Sequence, residues 1–428
     1  MKAIASCLAS ILAEENAVSL WENTELSRKE PIQRAIASAN PPSCIVYPRT
    51  QEQLARVIAE AHRQNWRLLP CGSGSKLSWG GLAAGVDVVV STEHINQLIE
   101  HAVGDLTVTV EAGMKFSDLL GILAKSRQFL ALDPTAPNLA TIGGIVATSD
   151  TGSLRQRYGG VRDQLLGITF VRADGQIAKA GGRVVKNVAG YDLMKLFTGS
   201  YGTLGIISQV TFRVYPLQEA STTVVLTGAV AGVSQAAATL RGSALTPTQA
   251  DLLSTKLVSS LGLGTEMGLI ARFQSISESV KEQSHQLLQI GQQLGLKGSI
   301  YADGDEVNLW QRLPEQIHFY PKESAITCKI GILPSAAAEV LNQVEMGLIH
   351  IGSGLGLLHL DNQSQVLQLR DICENNGGFL SILVAPVAVK QKFDVWGYRG
   401  NALQVMRLVK QQFDGKNILS PGRFVGGI

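Results

Sequence analysis

The sequence predicts an α+β protein of two main domains, and three observations support this. In the first half, short apolar strands run into glycine-rich loops at 70–76, 141–147 and 198–207. Beyond Ala220 a strand–helix–strand rhythm is used twice, as expected of helices packed on a sheet. The length of 428 residues also exceeds what one hydrophobic core ordinarily serves. The expected division is a helical N-terminal segment over 1–38, a first domain over 39–218 and an α+β cap domain over 219–412. A tail over 413–428 is expected to return and pack on the first domain.

Composition narrows the function classes. An apolar content of 45% and a charged content of 17% describe an ordinary globular chain with ample core. The net charge is only +2 with scattered basic residues, which argues against nucleic-acid binding. No apolar run approaches the roughly 18 residues of a membrane span. The five cysteines, Cys7, Cys44, Cys71, Cys328 and Cys373, are dispersed and form no Cys-x-x-Cys pair. A zinc site or iron–sulfur cluster is therefore not expected, and the pattern suits a reducing cytoplasm. Near the N-terminus, Ile4, Leu8, Ile11 and Leu12 fall at helical spacing, and the apolar stretch before Cys7 is too short for a signal core.

Each element has a local reason. Cys44 to Tyr47 reads as a strand stopped by Pro48, and Thr50 to Gln53 reads as a capping box. Leu54, Val57, Ile58 and Ala61 then form one buried helical face. Trp66 to Pro70 is a strand feeding the first glycine loop, and Val86 to Val90 is a strand buried on both faces. Leu106, Val108 and Val110 alternate with polar residues as in a half-buried strand. Phe116 to Ser126 reads as a helix, 168–177 as a hairpin turning at Asp174 and Gly175, and Ile206 to Val214 as a closing strand. In the second half, strands are expected near 222–226, 267–272, 326–330 and 378–384. Helices are expected near 233–240, 277–294, 335–346 and 400–412.

The three loops carry the chemistry. Gly72, Ser73, Gly74 and Ser75 offer successive backbone N–H groups that can curl around a pyrophosphate, with Lys76 adding charge. The spacing is neither a P-loop nor a Rossmann fingerprint. Thr141, Ile142, Gly143 and Gly144 follow the rigid entry at Pro134 and would let backbone donors approach a flat ring. Gly199 to Gly205 precedes an apolar strand, and Lys186 stands upstream as a candidate charge partner. Taken together the loops suit a large, flat, doubly phosphorylated cofactor, and FAD is the best candidate.

The loop order from Pro70 to Ile207 resembles the FAD-binding domain of the vanillyl-alcohol oxidase / p-cresol methylhydroxylase type. Gly181 to Asp192 and Gly199 to Gly202 are similar to the FAD-binding E subunit of bacterial glycolate oxidase (glycolate dehydrogenase). The resemblance implies a two-lobed FAD-binding domain. Its pyrophosphate would lie on Gly72, Ser73, Gly74 and Ser75, and its ribityl chain and ring on Pro134, Thr141, Gly143, Gly144, Ala147 and Thr148, with Pro70, Lys76 and Ile142 as further cofactor-binding residues. Tyr158, Gly159 and Asp163 would follow in the next loop, with Gly205 and Ile207 beside the adenine or ribityl portion. No histidine stands in the first loop, where covalent relatives tether their flavin, so a non-covalent FAD is implied.

Catalytic D-type relatives hold a metal with a His-x-Gly-Asp-Gly-Asn-x-His motif. Here His350 keeps the frame, but Ser353, Leu355 and Leu357 replace the Asp, Asn and second His, and His359 lies two residues too far along. No metal site is expected. Tyr201 also stands where those relatives usually carry glutamate. The resemblance therefore implies an accessory FAD-binding subunit of a heteromeric glycolate (2-hydroxy acid) dehydrogenase. Its partners would be a D-type catalytic flavoprotein and an iron–sulfur subunit, in the cytoplasm, with membrane contact only through those subunits. A self-sufficient FAD-dependent 2-hydroxy acid dehydrogenase, with Lys186 or His350 as base, and a flavin-free scaffold of the same fold remain as alternatives.

Overall fold

The computed structural model describes residues 2–182, 190–318 and 326–428. The first lobe is a four-stranded sheet in the order Val18–Leu20, Cys44–Val46, Val88–Ser91, Leu68–Cys71. The last three are parallel neighbours, and Val18–Leu20 adds to the edge in antiparallel. The N-terminal segment is therefore built into this lobe. Helix Lys2–Leu12 buries Ala5, Leu8 and Leu12 in a core shared with helix Gln51–Gln64. That second helix starts at Thr50, whose Oγ1 accepts from the Gln53 N–H at 3.2 Å. The Gln53 side chain accepts from the Arg49 N–H at 2.7 Å, so the expected capping box is displaced by one residue.

The second lobe is a five-stranded antiparallel sheet in the order Leu98–Ala102, Thr107–Glu111, Ile206–Arg213, Leu165–Val171, Ile177–Gly181. Thr107–Glu111 departs from the half-buried strand its alternation predicts. Both its faces are buried, and on one of them Thr109 and Thr211 bond hydroxyl to hydroxyl at 2.9 Å. Helices Phe116–Ala124 and Ile142–Thr148 pack on the other side.

Residues 220–384 build an eight-stranded antiparallel sheet in the order Lys297–Ala302, Ala220–Gly228, Met267–Ser275, Gln249–Leu253, Met346–His350, Leu355–Leu360, Ile326–Gly331, Phe379–Val384. The expected helix over 335–346 shrinks to Ala337–Leu341, because Met346 opens a central strand. Among the described residues, no helix is long and apolar enough to cross a membrane.

Two lysines join the halves. Helix Leu403–Phe413, expected with the cap, instead lays Val409 and Phe413 on the second lobe's core. Its Lys410 Nζ, buried, donates to Asp414 Oδ2 at 2.7 Å and to the carbonyls of Thr203 and Leu419 at 2.9 Å each. In the cap, Lys390 Nζ donates to the carbonyls of Ser78, Gly80 and Leu383.

Candidate functional site

Strand Leu68–Cys71 delivers the chain into a cleft between the two lobes, lined by Pro70 to Leu77, Thr92, Thr141, Gly143, Gly144, Ala147, Thr148, Tyr201, Gly202, Gly205 to Ile207, and Arg423. Gly72 lies directly against Thr141, and a Cβ at this position would fall 2.1 Å from Thr141 Oγ1. Among the described residues, no acceptor is found for the backbone N–H groups of Ser73, Gly74 and Ser75. Unspent donors on consecutive residues form a nest for an anion.

Other parts of the predicted phosphate site are already engaged. Ser73 Oγ donates to the Leu139 carbonyl. Lys76 is buried, its Nζ 3.1 Å from Asp150 Oδ2 and 3.2 Å from the Thr135 carbonyl, so its charge is neutralised inside the protein. The backbone donors expected from the second loop are also used. Ile142 and Gly143 N–H groups donate to the Met114 and Ala112 carbonyls at 2.9 and 2.7 Å, and Gly144 N–H to Thr141 Oγ1. These glycines provide clearance along the cleft rather than hydrogen bonds to a ligand.

The third loop is tied to the second, since Gly199 and Tyr201 N–H groups donate to the Val146 and Ala147 carbonyls at 2.9 and 2.8 Å. Gly202 has a φ of 74°, and a Cβ there would lie 2.6 Å from Pro70 Cγ. Tyr201 is buried edge-on against Trp396 at 5.0 Å, and burial pushes its phenol well above the ordinary range. The cation of the cleft comes from the C-terminal tail. Arg423 Nη2 donates to the carbonyls of Lys76, Leu77 and Trp79, while its buried Nη1 finds no partner among the described residues. Burial lowers its pKa to about 10.

A second cavity of about 270 Å³ lies between the first domain and the cap. Strands Gln249–Leu253 and Met346–His350 place Asp251 opposite His350, and His350 Nδ1 donates to Asp251 Oδ1 at 2.6 Å. Ser153 Oγ donates to Asp251 Oδ2. Burial disfavours the imidazolium, but attraction to Asp251 and Asp133 outweighs it, and the His350 pKa moves upward. Burial pushes Asp133 up to about 6, although it accepts from the Gly152 and Leu154 N–H groups. His318 Nε2 lies 3.4 Å from Thr135 Oγ1, and burial lowers its pKa to about 4. Arg272 pairs with Glu306 at 3.1 Å and lies over the Trp310 ring at 5.6 Å, and Lys329 also lines the cavity.

The structure thus brings Pro70, Gly72, Ser73, Gly74, Ser75, Lys76, Thr141, Gly143, Gly144, Ala147, Thr148, Gly205 and Ile207 to one cleft. Five other predicted cofactor-binding residues do not line it, nor do the two candidate bases. Ile142 is in the core behind it, and Pro134 lies between two residues of the second cavity. Tyr158 meets Phe129 edge-on and Tyr215 at a tilt, and Asp163 accepts from the Gly160 N–H beside Gly159. His350 belongs to the second cavity, and Lys186 lies outside the described residues. Cys71, Leu77, Thr92, Tyr201, Gly202, Ile206 and Arg423 were not foreseen. All but Thr92 and Arg423 sit in or beside loops already singled out, and the signal for Arg423 was its Ser420-Pro421-Gly422-Arg423 turn.

Residues 42–181 match the family described as FAD binding domain. The chain is 32% identical over 182 residues to the glycolate oxidase subunit GlcD of Bacillus subtilis (strain 168), covering 42% of this chain and 39% of that protein. It is 32% identical over 184 residues to a mitochondrial D-lactate dehydrogenase [cytochrome] of Arabidopsis thaliana, covering 43% and 32%. These matches span less than half the length of either relative. Among solved structures, p-cresol methylhydroxylase with substrate bound aligns over 99% of this chain and 96% of its own, with 14% identity and a TM-score of 0.74. Residues 42–181 thus match an FAD binding domain, and the chain as a whole has the fold of p-cresol methylhydroxylase. With that fold goes a sequence similarity, over less than half of this chain, to GlcD and to D-lactate dehydrogenase.

Proposed function

We propose that this chain is the FAD-binding subunit of a heteromeric 2-hydroxy acid dehydrogenase that oxidises glycolate to glyoxylate with a D-type catalytic flavoprotein and an iron–sulfur subunit. The observation that carries this reading is the contrast between a glycine-lined cleft with unspent backbone donors and histidines spent within the cap. His350 is held by Asp251, and His359 contacts Thr327 Oγ1 through Nδ1 and the Ile317 carbonyl through Nε2. Among the described residues, no three His, Cys, Asp or Glu side chains converge as a metal site would need.

The residues present suit FAD. The Ser73 to Ser75 nest and Arg423 Nη1 would hold the pyrophosphate or another negative portion, while Gly72, Gly143, Gly144 and Gly202 leave room along the cleft. Bound FAD supplies a two-electron acceptor. The attachment is non-covalent in this reading. No histidine stands between Pro70 and Leu77, and burial holds the Cys71 thiol protonated, with its pKa raised to about 12.

A second reading, that the chain oxidises the acid itself, is favoured by one observation: an oriented histidine in a cavity that also holds Lys329 and Arg272. The visible spectrum of the purified chain, recorded anaerobically before and after glycolate, separates the two. A flavin spectrum that bleaches only once the partner subunits are added supports the subunit reading. Bleaching by the chain alone supports the second. Absence of flavin overturns both.

A further inference from the structure

We propose that strand Lys297–Ala302 is an interface for a second copy of this chain, joining two cap sheets across a two-fold axis at Ile300. The inference stands apart from the proposed function, since it needs neither flavin nor substrate. The strand lies at one end of the eight-stranded sheet and, among the described residues, pairs with Ala220–Gly228 alone. Its residues are exposed except Tyr301, which is half-buried, and Ile300 is 45% exposed. Among the described residues, its backbone makes no hydrogen bond beyond the pairing with Ala220–Gly228. A bare edge of this kind is a template for another strand.

Two other sheet ends are covered. At the far end of the same sheet, Ile382 of strand Phe379–Val384 donates its N–H to the Val395 carbonyl at 2.7 Å. In the first lobe, Leu68 N–H donates to the Ile418 carbonyl at 2.7 Å, and the Leu68 carbonyl accepts from the Ser420 N–H at 2.8 Å. Lys297–Ala302 has little of the usual protection. It holds no proline, its register runs unbroken from Lys297 to Ala302, and its one charge is Lys297 at the start.

Self-complementarity selects a second copy as the occupant. Outward-turned backbone groups recur at every second residue of an edge, and in an antiparallel ladder both members of a hydrogen-bonded pair turn these groups to each other. A strand meeting its own copy must therefore centre a residue, not a peptide bond, on the two-fold axis. A centre at Ile300 sets Ile300 against Ile300, with Gly298 and Ala302 as small neighbours on the same face. Lys297 of each copy then falls opposite Asp303 of the other, in the acidic first turn of helix Asp303–His318. Both residues are exposed. A centre at Ser299 would set Lys297 against Tyr301, and one at Tyr301 would set Ile300 against Ala302. The Ile300 centre matches apolar to apolar and cation to acid at once, as an isologous contact requires.

The test uses the full chain, unaltered and as Ile300→Asp, Ile300→Cys and Ser299→Cys. Analytical ultracentrifugation should give the mass of two chains for the unaltered protein. Ile300→Asp sets two carboxylates face to face and should raise the dimer dissociation constant about 100-fold or more. Its circular dichroism should be unchanged, because the side chain is exposed. Directly opposed residues bring Cα atoms about 4.5–5.5 Å apart, within disulfide reach. Mild oxidation should therefore link Ile300→Cys into a covalent dimer. Ser299→Cys, which faces Tyr301, should stay unlinked, as should the unaltered chain with its own five cysteines. If Ile300→Asp does not fold, the two cysteine variants decide. A monomer at every concentration, a dimer that Ile300→Asp leaves intact, or linkage through Ser299→Cys rather than Ile300→Cys overturns the proposal. So does association at this edge that occurs only with a different protein.

Discussion

Lys76 and Asp150 form a buried ion pair, 3.1 Å from Nζ to Oδ2, on the wall between the flavin cleft and the interdomain cavity. Lys76 lines the first space and Asp150 the second. Asp150 also accepts from the Thr135 N–H and hydroxyl at 2.8 and 3.3 Å, and Thr135 reaches His318 of the cap. One polar chain thus runs from the loop at 72–76 into the cap, and its members can be altered separately.

Lys76→Met leaves the Asp150 carboxylate buried without its cation. The expected loss is about 3–5 kcal/mol, read from urea unfolding. Lys76→Met with Asp150→Asn should recover much of it, because no lone charge then remains. A single variant as stable as the unaltered chain would show that the pair is not buried in solution.

Gly72→Ala tests the cleft itself. The new methyl group would meet Thr141 Oγ1 at 2.1 Å and its Cβ at 2.9 Å, so the loop must move away from helix Ile142–Thr148. FAD affinity should fall by about tenfold or more, which corresponds to about 1.4 kcal/mol. A flavin titration alongside circular dichroism checks this, since the fold should persist.

Arg423→Met removes the donor shared by the carbonyls of Lys76, Leu77 and Trp79. The expected destabilisation is about 2–4 kcal/mol, from buried acceptors left without a donor, accompanied by weaker FAD binding. Arg423→Lys should restore the charge but not the fork, and so recover only part of the flavin affinity. Chemical denaturation with and without added FAD separates the two effects.

His318 gives a pH dependence. Burial lowers its pKa from 6.5 to about 4, so between those values the unfolded chain binds more protons than the folded one. The neutral ring's contribution is therefore fully present above about pH 6.5 and is lost as pH falls towards 4. It amounts to on the order of 2 kcal/mol after allowing for partial solvent access. Melting temperatures of His318→Gln and the unaltered chain across pH 4 to 7 test this, and the variant should show the flatter curve.

Much of the first domain was legible because its signals are local. Glycines and serines adjacent in the chain at 72–75 make a loop with unspent N–H groups wherever the domain places it, and Val88 to Val90 reads as a buried strand on composition alone. The role given to Lys76 failed for a complementary reason. Its partner Asp150 lies 74 positions later, and nothing near Lys76 indicates that the charge turns inward. Gly143 and Gly144 likewise looked like free donors until Thr141 proved to be the N-cap of a helix whose first turn lies against Ala112 and Met114.

Sequence by itself determined the class of fold and the first two walls of the flavin cleft, since backbone clearance and turn geometry depend on neighbouring residues. Tertiary structure alone decided the cleft's cation and the histidine's orientation. Arg423 reaches the loop at 76–79 across more than 340 residues, and Asp251 meets His350 across 99, through strand register and tail packing that local periodicity does not encode.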